Sequence, residues 1–261
     1  MDWCKRGFLS VDEVDLEYSC HGPAPSQAPT AILLHEGLGC IDLWRDFPVE
    51  LSDKLGCGVF VYSRQGYGAS DLATLPRPLN YMTIEAVNVL PKIIDLVSPK
   101  AFQLIGHSDG ATIAAIYAGE VGHSNLRGIT LIAPHFFAED VGLAQIGLAK
   151  TAYETTNLSE KLGRYHKDPN NTFYGWNQSW LHPEFKSWNV ERVIDNINVP
   201  ILAIQGTQDE YGTLAQIEVI KKRAQTSVSE LILGDCKHSP HLEAGRTVLH
   251  AIHEFDASVT R

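Results

Sequence analysis

The sequence has no apolar run approaching the roughly 20 residues that a membrane-spanning helix needs, so an integral membrane protein is not expected. It has no Cys-x-x-Cys pair, and its five cysteines, Cys4, Cys20, Cys40, Cys57 and Cys236, are odd in number and scattered. The cysteines therefore read as reduced thiols in a reducing compartment. The first ten residues, MDWCKRGFLS, lack the apolar stretch of a secretory leader. A cytoplasmic protein is expected. No lysine- or arginine-rich run stands out among 21 basic residues, and 31 acidic residues bring the net charge to −10. Nucleic acid is therefore a poor partner, and an anionic membrane would weakly repel this surface. The glycine pattern of a dinucleotide site is missing too, because Gly37-Leu38-Gly39 has no third glycine at the required spacing. His250 and His253 lie on a terminal helical pattern and read as solvent-facing. No metal and no cofactor are expected.

What is present is an alternation of short apolar runs with helical patterns. Strand-like stretches fall near 8–11 and 14–20, then at AILLH (31–35), CGVFVYS (57–63), AFQLIG (101–106), GITLIA (128–133), PILAIQG (200–206) and SELILG (229–234). Helical patterns are read at 41–55, 81–97, 111–118, 214–224 and 242–255, with Pro91 an awkward member of the second. Strands that alternate with helices predict α/β architecture: a mostly parallel, twisted sheet with helices on both faces. The rhythm breaks over residues 135–199, which hold Trp176, Trp180 and Trp188 and no clear strand. This segment reads as a helical cap inserted into a core formed by 1–134 and 200–261. Its aromatic residues are equally suited to a substrate pocket and to the cap's own packing.

LIGHSDGAT (104–112) carries the chemistry. Gly106-His107-Ser108-Asp109-Gly110 is a Gly-x-Ser-x-Gly pentad between an apolar strand and a small-residue helix. A serine on such a turn projects its hydroxyl at the C-terminal edge of the sheet, where open α/β folds bind ligands. Side chains at neighbouring positions on a sharp turn diverge, so His107 and Asp109 should not act on the Ser108 hydroxyl. Asp109 can instead contribute its backbone N–H to a developing oxyanion. The missing groups are found in two later loops. TQDEYG follows the strand at 200–206 and offers Asp209, with Glu210 as the alternative; DCKHSPHLE follows the strand at 229–234 and offers His238, with His241 as the alternative. Asp209 and His238 are preferred, since His241 reads as the start of the last helix. A second oxyanion donor should come from LLHEGLGC (33–40), at Gly37 or Leu38.

The chain resembles the α/β-hydrolase superfamily, serine-hydrolase type, over essentially its whole length. LLHEGLG, VYSRQGYGAS, LIGHSDGA, LIAPH, ILAIQGTQDEYG and CKHSPHLE carry the resemblance. They are similar to the superfamily's oxyanion loop, Gly-rich loop, nucleophile elbow, cap entrance, acid loop and histidine loop. The resemblance implies Ser108 as nucleophile, Asp209 as acid and His238 as base, in that chain order. It also implies an oxyanion hole from Gly37 or Leu38 together with Asp109. Two departures stand out: Glu36 where many members have glycine, and Lys237 where glycine usually precedes the histidine. Glu36 is expected to pair with Arg64. Glu36, Arg64, His107, His135, Trp176 and Trp180 are the candidate pocket residues.

The reading implies an enzyme that cleaves a carboxylic ester of a small or medium substrate through an acyl-enzyme, with the oligomeric state open. Two alternatives share the fold. One is hydrolysis of a carbon–carbon bond in a dienoate by the same triad, and the other is a slow-turnover ligand receptor.

Overall fold

A computed structural model describes Trp3 and residues 5–259; Cys4 lies outside the described residues. Among the described residues, eight strands form one sheet: β1 (Arg6–Val11), β2 (Val14–His21), β3 (Thr30–Leu34), β4 (Gly58–Tyr62), β5 (Phe102–His107), β6 (Leu126–Ile132), β7 (Ile201–Gly206) and β8 (Val228–Leu233). Their spatial order is β1-β2-β4-β3-β5-β6-β7-β8. The β1–β2 and β2–β4 pairs are antiparallel, and every other pair is parallel. The strands read as continuous apolar runs, β3, β4, β5 and β7, are buried along their whole length, as central strands covered on both faces must be. The edge strand β8 is only partly covered.

Alternate residues of each strand enter different layers. Ile32, Leu34, Phe60, Tyr62 and Leu104 face a core closed by the helices Leu90–Val97 and Asp109–Ile116. Ala31, Leu33, Val59, Val61 and Ile105 face a second core with Phe47 and Leu51 of helix Phe47–Leu55 and Val248, Ile252 and Phe255 of helix Gly245–Val259. The chain runs from β3 out to β4 and returns to place β5 on β3's other side, so the order reverses at β3. Open α/β sheets form their ligand crevice beyond the carboxyl ends of strands at such a point.

Three helical expectations are modified by local chemistry. The stretch 41–55 is split into a tight turn at Ile41–Trp44 and a helix Phe47–Leu55, separated by Arg45 at φ 55° and started by Pro48 in its first turn. In 81–97, Pro91 has no N–H to give to the helix. The chain widens over Glu85–Val89, where the Leu90 N–H reaches back to the Glu85 carbonyl, and Pro91 sits in the first turn of the helix that resumes at Leu90. At the C-terminal end, His241 belongs to a separate turn, Pro240–Glu243, and does not begin the final helix.

Residues 135–199 contain the helices Asp140–Thr155, Leu158–Leu162 and Pro169–Trp180 and the tight turns Pro183–Ser187 and Glu191–Asn196, all between β6 and β7. The last of these packs back against Tyr117–Val121. Among the described residues, no helix is long and apolar enough to cross a membrane.

Candidate active site

Ser108 sits where β5 turns into helix Asp109–Ile116, with φ 54° and ψ −119°. This conformation is costly for a residue with a Cβ, and the surroundings hold it in place. The Ser108 N–H donates to Ile132 O at 2.8 Å, and its carbonyl accepts from the N–H groups of Ala111 and Thr112 at 2.9 and 3.1 Å. The helix starts so close to β3 that a Cβ at Gly110 would overlap the Leu34 carbonyl.

The loops after β7 and β8 bring Asp209 and His238 to this serine. His238 Nε2 lies 2.9 Å from Ser108 Oγ, and its Nδ1 lies 2.9 and 2.8 Å from Asp209 Oδ1 and Oδ2. Asp209 also accepts from the N–H groups of Tyr211 and Gly212 at 2.8 and 3.2 Å and from Gln205 Nε2 at 2.8 Å. Burial opposes the charge on Asp209, but the hydrogen bond and positive field of His238, with the Tyr211 N–H, outweigh it and hold the carboxyl below its ordinary range. An ionised Asp209 keeps the His238 proton on Nδ1, which leaves the Nε2 lone pair facing the serine hydroxyl. Glu210 stands apart from this line, with Oε1 3.6 Å from Lys237 Nζ. His241 is buried against Trp44, Phe47 and His107. Burial first, and His107 second, push its pKa well below the usual imidazole value.

Gly37 and Leu38 are the central residues of a turn closed by the Gly39 N–H on Glu36 O at 3.1 Å. Central N–H groups of such a turn are not used by it, so both are available to an oxyanion. Asp109 is the first residue of its helix, where an N–H has no intrahelical acceptor.

Glu36 departs from the expected pairing with Arg64. Arg64 is fully buried, donates to the carbonyls of His35 and Glu36, and stacks on Tyr67 with 5.0 Å to the ring centroid. The backbone of Glu36 thus meets Arg64, while its side chain turns to His107, with Oε2 3.4 Å from Nδ1. The other His107 nitrogen, Nε2, donates to the carbonyl of His238 at 2.7 Å. His107 therefore touches the oxyanion turn and the histidine loop without approaching the serine hydroxyl through a hydrogen bond.

The Asp109 carboxyl points away from the serine into a buried network. The Tyr81 hydroxyl donates to it and accepts from Trp180 Nε1 at 3.0 Å. Burial raises the Asp109 pKa, with Arg64 and Tyr81 pulling the other way. Tyr81 escaped the sequence reading because nothing in its local pattern signals a partner 28 residues away. Removing its hydroxyl in Tyr81→Phe leaves a buried carboxyl short of its donor. The expected cost is about 1–3 kcal/mol of stability, measured as a lower urea midpoint. A midpoint equal to that of the wild type would show that the hydroxyl contributes nothing.

A cavity of about 330 Å3 opens above Ser108, between the turn at Gly37-Leu38 and the helices that follow β6. Its apolar wall includes Leu38, Ile146, Trp176, Trp180 and Tyr211. His135 also faces it; burial and the neighbouring His238 pull its pKa down to about 3, so it is neutral. The aromatic residues of 135–199 thus divide. Trp176 and Trp180 line the cavity, whereas Tyr153 stacks on Phe173 and Trp188 on Phe185 at 3.9 and 5.0 Å between ring centroids. Cys236, near His238 in sequence, is no nucleophile candidate, because burial pushes its thiol up to about 11. Among the described residues, no group of three or more His, Cys, Asp or Glu side chains is placed to hold a metal ion.

Residues 31–251 match the sequence model of the alpha/beta hydrolase family. The chain belongs to the alpha/beta hydrolase family. No curated protein sequence matches this hydrolase-family member. Its structure superimposes on a carboxylesterase from the ammonia-oxidizing thaumarchaeon Nitrososphaera gargenis with a TM-score of 0.80 at 18% identity, covering 97% of this chain and 99% of that one. The enol-lactonase of Burkholderia xenovorans gives 0.75 at 17% identity, covering 96% and 100%. The proline iminopeptidase of Mycobacterium smegmatis gives 0.72 at 18%, covering 96% and 97%. At these identities the likeness is one of fold, and it spans whole chains of different substrate class.

Proposed function

We propose that this alpha/beta hydrolase cleaves carboxylic esters of small or medium size through an acyl-enzyme. The observation that carries the reading is the unbroken line from Ser108 Oγ through the imidazole of His238 to the buried carboxylate of Asp209. In this reading His238 takes the Ser108 proton as the hydroxyl attacks the ester carbonyl, and Asp209 stabilises the imidazolium. The oxyanion sits on the Asp109 N–H and on the N–H of Gly37 or Leu38. His238 then protonates the departing alcohol. Water, deprotonated by the same imidazole, releases the acid. Residues 135–199 serve as a cap that closes the apolar wall over the serine.

The charge around the cavity supports an ester over a dienoate. Glu36, Glu210 and Glu243 line it together with Lys237, and Lys237 is drawn to Glu210. A substrate carboxylate would meet like charge, whereas a neutral acyl group would not.

The test is covalent labelling. A fluorophosphonate should add once to the protein, at the peptide that contains Ser108, and should abolish hydrolysis of p-nitrophenyl acetate and butyrate. Active protein that resists the label would exclude an activated serine.

A further inference from the structure

Helix Pro169–Trp180 presents two indoles to the cavity one turn apart. Their N–H groups have different fates. Trp180 Nε1–H is spent on the Tyr81 hydroxyl. Trp176 Nε1–H has no acceptor among the described residues, although the residue is only 6% exposed. An indole nitrogen can only donate. Water can satisfy it in solution, but a substrate that displaces this water must supply an acceptor or forfeit the bond.

The position of this donor is constrained. Trp176 Nε1 and Cδ1 lie against the Cα of Gly37 so closely that any Cβ at residue 37 would overlap them. The unused donor therefore stands beside the turn whose N–H groups, in the ester-hydrolase reading, hold the oxyanion. A substrate oxygen that meets it would therefore lie close to the scissile carbonyl. The apolar wall that Trp176 shares includes Leu38 and Ile146. A second oxygen on the acyl chain fits there, and a plain alkyl chain leaves the N–H unpaired.

We propose that Trp176 is a specificity-determining donor, and that the preferred substrates are short esters of oxygen-substituted acids, with an ether, hydroxyl or keto oxygen next to or one carbon from the scissile carbonyl. This rests on the ester-hydrolase reading. A site built to bond a substrate oxygen rejects the analogue that lacks it more strongly than an apolar pocket rejects a missing methylene.

The experiment compares p-nitrophenyl methoxyacetate with p-nitrophenyl butyrate, which has the same chain length with CH2 in place of oxygen. The ratio of kcat/KM values is divided by the ratio of hydroxide rates to remove intrinsic reactivity. Wild type should favour the methoxyacetate about tenfold, and Trp176→Phe, which keeps the ring and removes the N–H, should erase that preference. A corrected ratio near one in the wild type, or one unchanged by the substitution, overturns the proposal. A second readout does not need turnover. In Ser108→Ala protein carrying 15N-indole, methyl methoxyacetate should move the Trp176 N–H proton resonance downfield, and methyl butyrate should not. Equal movement with both esters overturns the proposal. If neither nitrophenyl ester is cleaved while the resonance moves selectively, the ester-hydrolase reading fails and the donor stands. If both are cleaved with a flat ratio, the donor fails alone.

Discussion

Ser108→Ala protein should fold as the wild type does and hydrolyse p-nitrophenyl acetate more slowly by roughly 10^4- to 10^6-fold. The fold should survive because the strained φ of 54° belongs to the backbone, which alanine shares, and because the lost hydroxyl has one partner. That partner, His238 Nε2, lies on a side chain 16% exposed and facing the cavity, so water can replace the serine. The rate should fall because the variant loses the hydroxyl that stands 2.9 Å from His238 Nε2, and burial keeps the nearby Cys236 a thiol. A variant with a wild-type melting temperature and activity within tenfold of the wild type would remove Ser108 from the mechanism.

Asp209→Asn should be nearly as damaging to turnover, on the order of 10^4-fold, and should also cost stability. Four donors converge on the carboxylate: the N–H groups of Tyr211 and Gly212, Gln205 Nε2 and His238 Nδ1. Asparagine has one oxygen to offer them. If that oxygen serves the two backbone N–H groups, the amide nitrogen faces Gln205 and His238, and the imidazole must move its proton to Nε2. A histidine in that tautomer cannot accept from Ser108. The same site fixes the direction of a pH effect. Because the folded carboxyl lies below its ordinary range, the stability it contributes is fully present above about pH 4 and is lost as pH falls through the folded value. The stability gap between wild type and Asp209→Asn should therefore be widest near neutrality and narrow in acid. A gap that widened in acid would contradict the assignment of the charge.

The strands were legible in the sequence because central parallel strands must be apolar on both faces, which leaves unbroken runs such as AILLH and PILAIQG. The pentad around Ser108 was legible because close approach to β3 leaves no room for a side chain at residue 110. Asp209 and His238 could be singled out as candidates because each follows a readable strand and so falls at the same edge as Ser108. The direction of the Glu36 side chain was not legible. Opposite charge suggested Arg64, but Arg64 is engaged with backbone carbonyls, a class of partner that no residue identity encodes. The division of the aromatic residues of 135–199 between cavity and packing was hidden for a related reason: the two roles call for the same residues and differ only in three-dimensional placement.

The hydrogen bond from His107 Nε2 to the carbonyl of His238 has a mechanical consequence. Two atoms that exchange a proton in the proposed mechanism come from chain positions 130 residues apart, and the imidazole is carried by the loop between β8 and the turn Pro240–Glu243. Here the residue just before the serine grips the main chain of the imidazole-bearing loop. Displacing that loop requires either breaking this clasp or carrying the end of a central strand along with it, which ties the position of the imidazole to that of the hydroxyl.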